Sequence, residues 1–184
     1  LLGKADIMLA GGADCGTDPL IIQQMAEAGV LGRHRNDPRL ACRPFHRDRN
    51  GMTLGDGAGF LVLESAQSVA ARGARPIGVL AGWGMVTGTG GRTAVEEDGS
   101  GLVRAMKEAC AMAGCSREEI AYVNAHGTGT LLNDRGEMAA YERLFAGRKT
   151  PVAISSTKPV TGHCLGATGA LEAICTMRAL ASAK

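Results

Sequence analysis

The chain has 184 residues and a net charge of +2, so its charge gives no reason to expect nucleic acid or a membrane surface as a partner. No apolar run reaches the roughly 18 residues of a membrane span, and the amino terminus does not look like a signal peptide. Six scattered cysteines, most of them within apolar runs, predict reduced thiols packed in a cytoplasmic protein.

Apolar runs predict five strands along the chain. Their apolar character is continuous rather than alternating, which is typical of strands buried on both faces. In chain order the predicted strands cover residues 6–12, 58–64, 77–86, 120–125 and 152–157.

Helical spacing of apolar residues predicts helices between these strands. The first covers residues 100–113, with Ser100 able to cap its start and Gly114 its end. The second is predicted to begin at Asp134, because Glu137 three residues later completes a pattern like a capping box.

A third helix is predicted after His163, running through Leu171 to Cys175. Helices therefore alternate with strands along the chain. This order, together with strands buried on both faces, predicts an α/β layered fold.

Two of the predicted strands end in turns that carry basic side chains. His126 follows one strand, and Lys158 and His163 follow another. Functional groups of open α/β sheets lie beyond the carboxyl ends of strands, so we expect the three to share one rim. The positive end of the helix after His163 would favour a neutral imidazole there, and Glu172 could reach back to Lys158.

Spacing alone leaves two interpretations of these histidines open, because a histidine at a strand end can be a catalyst or a structural hydrogen-bonding group. No Cys/His spacing matches a zinc ligand set, so no metal site is predicted. The glycine-rich runs at 55–59 and 86–91 lack a P-loop lysine and the full dinucleotide fingerprint, which argues against a nucleotide cofactor.

The strings VNAHGTGT and SSTKPVTGHCLGATGALEA closely resemble the β-ketoacyl synthases, the condensing enzymes of fatty-acid and polyketide synthesis. ADIMLAGGAD, RPFHRDRNGMTLGDGAGFLVLE and ARGARPI resemble further segments of that family in the same order, so the resemblance covers essentially the whole chain. The chain is similar to the elongating type, which acts with acyl carrier protein and uses two histidines.

This resemblance implies a thiolase-like fold, in which two similar halves stack as helix, sheet, helix, sheet and helix layers. Residues 1–75 would be the end of the first half and residues 76–184 most of the second. The family's nucleophilic cysteine lies in a turn upstream of ADIMLAGGAD, and none of the six cysteines here matches it. A glycine-rich loop after the second half is also missing, so the 184 residues alone are expected to be inactive.

The implied reaction is a decarboxylative Claisen condensation of malonyl-carrier protein with an acyl thioester, giving 3-oxoacyl-carrier protein. His126 and His163 would donate hydrogen bonds to the enolate, and Lys158 would hold the hydrogen-bond network in place. Implied partners are acyl carrier protein, acyl and malonyl thioesters, and a second copy of the enzyme in a homodimer. No cofactor is expected, because the substrate itself carries phosphopantetheine.

By the same resemblance, acidic side chains would support Lys158, namely Glu172 and either Asp134 or Glu137. Hydroxyl groups would contact the phosphopantetheine arm, namely Thr128, Thr130 and Thr93, although turn capping is an alternative role for them. Two other interpretations stay open: a non-catalytic partner subunit like the chain-length factors, and a structural fragment.

Overall fold

The structure is a computed structural model that describes residues 3–88 and 96–182. Within those residues the chain forms four strands and six α-helices, joined by three short 3-10 turns. The elements are β1 (Ile7–Cys15), α1 (Pro19–Glu27), β2 (Asp56–Glu64), α2 (Ala66–Ala71), α3 (Ser100–Ala113), β3 (Tyr122–Asn124), α4 (Leu131–Phe145), β4 (Ala153–Ser155), α5 (Lys158–Thr161) and α6 (Thr168–Ser182).

The first sheet pairs β1 with β2 in antiparallel register. One face packs on α6, so closely that a Cβ on Gly59 would come within 3.2 Å of the Leu171 side chain. The opposite face is exposed, with Leu9 64% and Val62 67% accessible. The prediction that these strands are buried on both faces is wrong for the described residues, because a helix covers only one side of the sheet.

The second sheet pairs β3 with β4 in parallel register, with Asn124 opposite Ser155. Because the strands are parallel, their carboxyl ends meet at one edge, and the turns that follow them begin side by side. The side-chain amide of Asn124 donates to the Glu172 carbonyl of α6 at 3.1 Å and to the Thr176 hydroxyl at 3.0 Å. Helix α6 is therefore attached to both sheets.

The strand predicted at residues 77–86 is not present, since this segment joins neither sheet of the described chain. It lies against α3 instead, where a Cβ on Gly82 or Gly84 would collide with the helix backbone. Val79 is 83% exposed and Met85 80%. An apolar run without a neighbouring strand has no ladder to join, and its apolar side chains stay in solvent.

Helix α3 has the predicted bounds and ends at Gly114 in the left-handed conformation, as expected. Its N-cap is Gly99 rather than Ser100. The Ser100 hydroxyl lies inside the first turn and donates to Glu96 at 2.8 Å, so it does not cap the backbone.

Helix α4 begins at Leu131, three residues earlier than predicted, and the proposed capping pair is wrong. Asp134 and Glu137 lie inside the helix, fully or almost fully buried, and bind groups outside it. Helix α6 contains Leu171 to Cys175, as predicted.

The largest fully buried side chains are Lys158, Asp134 and Cys164, two of which carry charge. All six cysteines are free thiols, but Cys15 and Cys175 are exposed, which differs from the predicted packing role. No helix in the described ranges is long and apolar enough to cross a bilayer.

Candidate functional site

The turns after β3 and β4 bring two imidazoles together. The ring centroids of His126 and His163 are 5.1 Å apart, and the rings are nearly perpendicular at 85°. The backbone N–H of His163 donates to the Thr53 carbonyl at 2.7 Å, which ties this turn to the segment before β2. The two histidines predicted from separate strand ends therefore share one site.

Lys158 lies at the start of α5 and is 1% exposed. Its ammonium group donates to the His126 carbonyl at 2.5 Å, to the Glu172 carboxylate at 2.5 Å and to Nδ1 of His126 at 3.4 Å. An ammonium group has three donors, and all three are used here. The charge is therefore held in one place, with Glu172 as its counter-ion.

The hydrogen bonds at Nδ1 assign the same tautomer to both rings. The backbone N–H of Leu165 donates to Nδ1 of His163 at 3.1 Å, and the ammonium of Lys158 donates to Nδ1 of His126. A nitrogen that accepts carries no hydrogen, so each neutral ring has its hydrogen on Nε2. Neither Nε2 atom has a hydrogen-bond partner among the described residues, which leaves both hydrogens available.

Burial keeps both rings neutral at physiological pH. It lowers the pKa of His126 to about 4, and the positive charge of Lys158 acts in the same direction. The pKa of His163 is also lowered to about 4. Burial is again the largest cause, and His126 and Lys158 lower it further. The helix start predicted as the cause is not at this position, because α6 begins only at Thr168, after a 3-10 turn.

Glu137 holds the His126 turn by its backbone. Its carboxylate accepts the N–H of His126 at 2.7 Å and the N–H of Gly127 at 2.6 Å. The amide of Asn133 and the hydroxyl of Tyr141 donate to it at 2.9 and 2.8 Å. Glu137 was expected to be a partner of Lys158, but in the structure it binds the backbone of His126 and Gly127 instead.

Asp134 fixes the other side of the same turn and likewise makes no hydrogen bond to Lys158. Its carboxylate accepts the N–H of Gly129 at 3.1 Å and the N–H of Phe45 at 2.7 Å. Phe45 has a positive φ of 63°, and its ring lies beside Gly127. Sequence reasoning missed Phe45, whose only signal is its place in the segment RPFHRDRNG, 89 residues before its partner Asp134.

The predicted hydroxyl groups are partly engaged with each other. The hydroxyls of Thr128 and Thr130 are 2.8 Å apart, and the Thr130 N–H donates to the Thr128 hydroxyl at 3.3 Å. These bonds agree with the turn-capping alternative, and Thr128 is only 4% exposed. Thr93 lies outside the described residues.

The polar side chains of the site do not resemble the ligands of a metal centre. The described ranges contain no group of three or more His, Cys, Asp or Glu side chains able to hold a metal ion. Nδ1 of His126 contacts an ammonium group, that of Lys158, which cannot be a metal ligand while protonated.

Comparison with protein families matches both parts of the chain. Residues 77–184 match the C-terminal domain of beta-ketoacyl synthase, and residues 1–69 match its N-terminal domain. Together the two matches cover both sheets and the histidine site.

Relatives of known name are similar over nearly all of these residues. The 3-oxoacyl-[acyl-carrier-protein] synthase 2 of Vibrio cholerae is 44% identical over 180 residues, which is 97% of this chain and 43% of the relative. The synthase 2 of Synechocystis is 39% identical over 182 residues, 99% of this chain and 44% of the relative. The chain thus spans about two fifths of the length of these curated relatives.

Solved structures give the same result for the fold. A ketosynthase bound to a hexaketide, in complex with its type II polyketide acyl-carrier protein, has a TM-score of 0.91 at 33% identity, covering 96% of this chain and 43% of that one. A β-ketoacyl synthase from Burkholderia phymatum has a TM-score of 0.86 at 37% identity, covering 96% and 42%. The α/β class and the thiolase-like architecture are confirmed.

Proposed function

Because this chain belongs to the β-ketoacyl synthase family, we propose that the protein containing it is an acyltransferase that condenses a malonyl thioester with an acyl thioester. Carbon dioxide is lost, and 3-oxoacyl-carrier protein is the product. The observation that carries the proposal is the pair of neutral imidazoles, His126 and His163, whose Nε2 hydrogens are available to a substrate.

The imidazole pair suits the decarboxylation step. When malonyl thioester loses carbon dioxide, negative charge develops on the thioester oxygen. Two preorganised N–H donors stabilise such an oxyanion, and removal of one donor from a comparable site costs about 3 kcal/mol. Because the pKa values of His126 and His163 are lowered to about 4, both rings donate a hydrogen bond without first having to lose a proton.

Lys158 acts as a positioning residue in this proposal. Its ammonium group fixes His126 through the carbonyl and Nδ1, and its charge helps to keep both rings neutral. Glu172 compensates the buried charge. Glu137 and Asp134 would keep the turn in the same position by binding its backbone.

The acyl group would be carried by a cysteine outside these 184 residues. Within the chain, Cys164 follows His163 directly, but it is buried and its thiol interacts with the Thr161 carbonyl at 3.6 Å. Burial raises the pKa of Cys164, and also that of Cys42, which disfavours the thiolate form that a nucleophile needs.

The substrates would arrive on acyl carrier protein, whose phosphopantetheine arm would contact Thr128, Thr130 and Thr93. The choice of carrier protein as partner is supported by the complex of the similar ketosynthase with an acyl-carrier protein. Residues 1–75 would be the end of the first thiolase-like half, and residues 76–184 would form most of the second. The two family matches support this division. A cytoplasmic homodimer without a cofactor of its own completes the proposal, and the free thiols agree with a reducing compartment.

A partner subunit without catalytic activity is the second candidate, because a solved ketosynthase/chain length factor is also similar, at 37% identity and a TM-score of 0.84. Two observations favour the enzyme: Lys158 is hydrogen-bonded to His126, and the ring of His163 lies 5.1 Å from that of His126. Sequencing the upstream turn separates the two candidates, since a cysteine there supports the enzyme and a glutamine supports the partner subunit.

The test follows two steps separately in the full-length protein, using radiolabelled malonyl-carrier protein and acyl-carrier protein. His126→Ala and His163→Ala should lower carbon dioxide release by about 100-fold or more, while acyl loading continues. His46→Ala is the matched control, because His46 is exposed and lies outside the cluster. Loss of acyl loading with normal carbon dioxide release in either cluster variant would reverse the assigned roles.

A further inference from the structure

The carboxyl end of α3 carries two cysteines, Cys110 and Cys115, on either side of the turn that ends the helix. Gly114 has a positive φ of 64°, and its N–H donates to the Ala111 carbonyl at 3.2 Å. The N–H of Cys115 donates to the Cys110 carbonyl at 3.1 Å. These two bonds define a Schellman motif. Cys110 and Cys115 occupy the two positions of this motif whose side chains commonly pack together.

The electrostatics of Cys110 agree with this contact. Burial raises the pKa of Cys110, and the nearby Cys115 thiol acts in the same direction. Both residues are partly exposed and both are free thiols. A small-molecule oxidant can therefore reach a pair that the backbone already brings together.

We propose that Cys110 and Cys115 form a reversible disulfide when the protein meets an oxidising low-molecular-weight disulfide such as oxidised glutathione. The backbones of the two residues are already hydrogen-bonded, with the Cys115 nitrogen 3.1 Å from the Cys110 carbonyl oxygen, which suits the limit of roughly 7 Å between the Cα atoms of a disulfide. This inference does not depend on the proposed condensing activity.

The exchange proceeds in two balanced steps. One cysteine thiolate attacks a sulfur of oxidised glutathione, forms a mixed disulfide and releases one glutathione thiolate. The second cysteine, as its thiolate, then attacks the protein sulfur of that mixed disulfide and releases the second glutathione. The two protons lost by the cysteines are taken up by the two glutathione thiolates, and no further oxidant is needed.

The other four cysteines lack this arrangement. Cys42 and Cys164 are buried, and their thiols interact with backbone carbonyls at 3.7 and 3.6 Å. Cys15 and Cys175 are exposed but lie on different elements, β1 and α6. Oxidised glutathione would leave a mixed disulfide on an exposed single thiol, whereas it would leave no glutathione on the Cys110–Cys115 pair.

Peptide mapping of the full-length protein tests the proposal. The protein is incubated with oxidised or reduced glutathione, denatured, alkylated with iodoacetamide and digested with trypsin. Cleavage after Lys107 and Arg117 releases one peptide, residues 108–117, that contains both cysteines. After oxidation we expect this peptide to carry no alkyl group and to lack two hydrogen atoms, and dithiothreitol added before alkylation should restore double alkylation.

Two variants provide the controls. Cys115→Ser should abolish the two-hydrogen loss, since Cys110 then has no partner, while Cys175→Ser should leave it unchanged. The proposal is overturned if the wild-type peptide remains doubly alkylated after oxidation, or if glutathione stays attached to either cysteine.

Discussion

The polar cluster around Lys158 and the β1–β2 sheet differ in which side chains they bury, because the cluster buries charges whereas the sheet exposes apolar groups. Lys158 and Asp134 are 1% and 0% exposed, whereas the apolar side chains of Leu9 and Val62 are 64% and 67% exposed. Burying a charge is unfavourable unless it is paired and hydrogen-bonded. Both buried charges meet that condition inside this chain, because Lys158 is paired with Glu172 and Asp134 with Arg49, and each also makes hydrogen bonds. The candidate site is thus held by its own polar network, while one face of the sheet is left exposed by residues 3–88 and 96–182.

The largest effect should come from removing the buried ammonium. Lys158→Ala leaves the Glu172 carboxylate without its counter-ion, and breaking a buried ion pair from one side typically costs about 3–5 kcal/mol. Urea unfolding of the variant measures the loss. The double variant Lys158→Ala with Glu172→Ala should lose less than the sum of the two single variants, because neither charge is then left alone. Additive losses would mean that the pair does not act as a unit.

A smaller loss is expected for Glu137→Ala. The carboxylate accepts the backbone N–H groups of His126 and Gly127, and hydrogen bonds to a charged group contribute about 1.5–3 kcal/mol. Glu142→Ala on the same helix is the matched control, because Glu142 is exposed and should change stability by less than about 0.5 kcal/mol. Equal effects of the two changes would show that the turn does not depend on the buried carboxylate.

Two glycines separate backbone strain from crowding at the site. Gly29 has a φ of 70° with no atom within 4 Å of an added Cβ, so Gly29→Ala should cost about 1 kcal/mol. Gly127 also has a positive φ, and its Cβ would lie 2.6 Å from Cβ of Ser156. Gly127→Ala should therefore destabilise the chain more than Gly29→Ala, and it alone should slow carbon dioxide release by the full-length protein. Equal unfolding free energies would contradict the crowding.

The smallest effect is expected on the exposed sheet face. Val62→Thr should change the unfolding free energy of the 184-residue chain by less than about 0.5 kcal/mol, because the side chain is 67% exposed. Urea unfolding gives the value directly. A loss above about 2 kcal/mol, typical of a core site, would mean that this face is covered, and the contrast with the Lys158 cluster would disappear.

Much of the fold follows from local pattern. The runs before His126 and Lys158 gave the two parallel strands, and since parallel strands end at one edge, the convergence of these side chains could be expected. The prediction of a strand at residues 77–86 was wrong, because an apolar run does not reveal whether a partner strand lies beside it. The helix start at Asp134 was wrong because its carboxylate binds Phe45, far along the chain, rather than its own helix.

The chemical state of the site could not be predicted in the same way. The sequence indicated a neutral His163 but gave the wrong cause, since the extent of burial depends on elements far apart in the chain. The tautomer of His163 depends on the N–H of Leu165, and Leu165 lies in a 3-10 turn that no sequence pattern indicated. Residue types and spacing predict which groups meet, whereas protonation depends on their three-dimensional surroundings.

The central claim is that His126 and His163 are neutral rings with the hydrogen on Nε2, and nitrogen NMR of the imidazoles in the full-length protein tests it most directly. His126→Asn and His163→Asn variants assign the signals. Both rings should keep a bare Nδ1 at neutral pH and titrate only near pH 4. The folded state would then bind fewer protons than the unfolded state between pH 6.5 and 4, so stability should fall as the pH falls through that window. Titration of either ring near its ordinary pKa of about 6.5, or a hydrogen on Nδ1, would contradict the account.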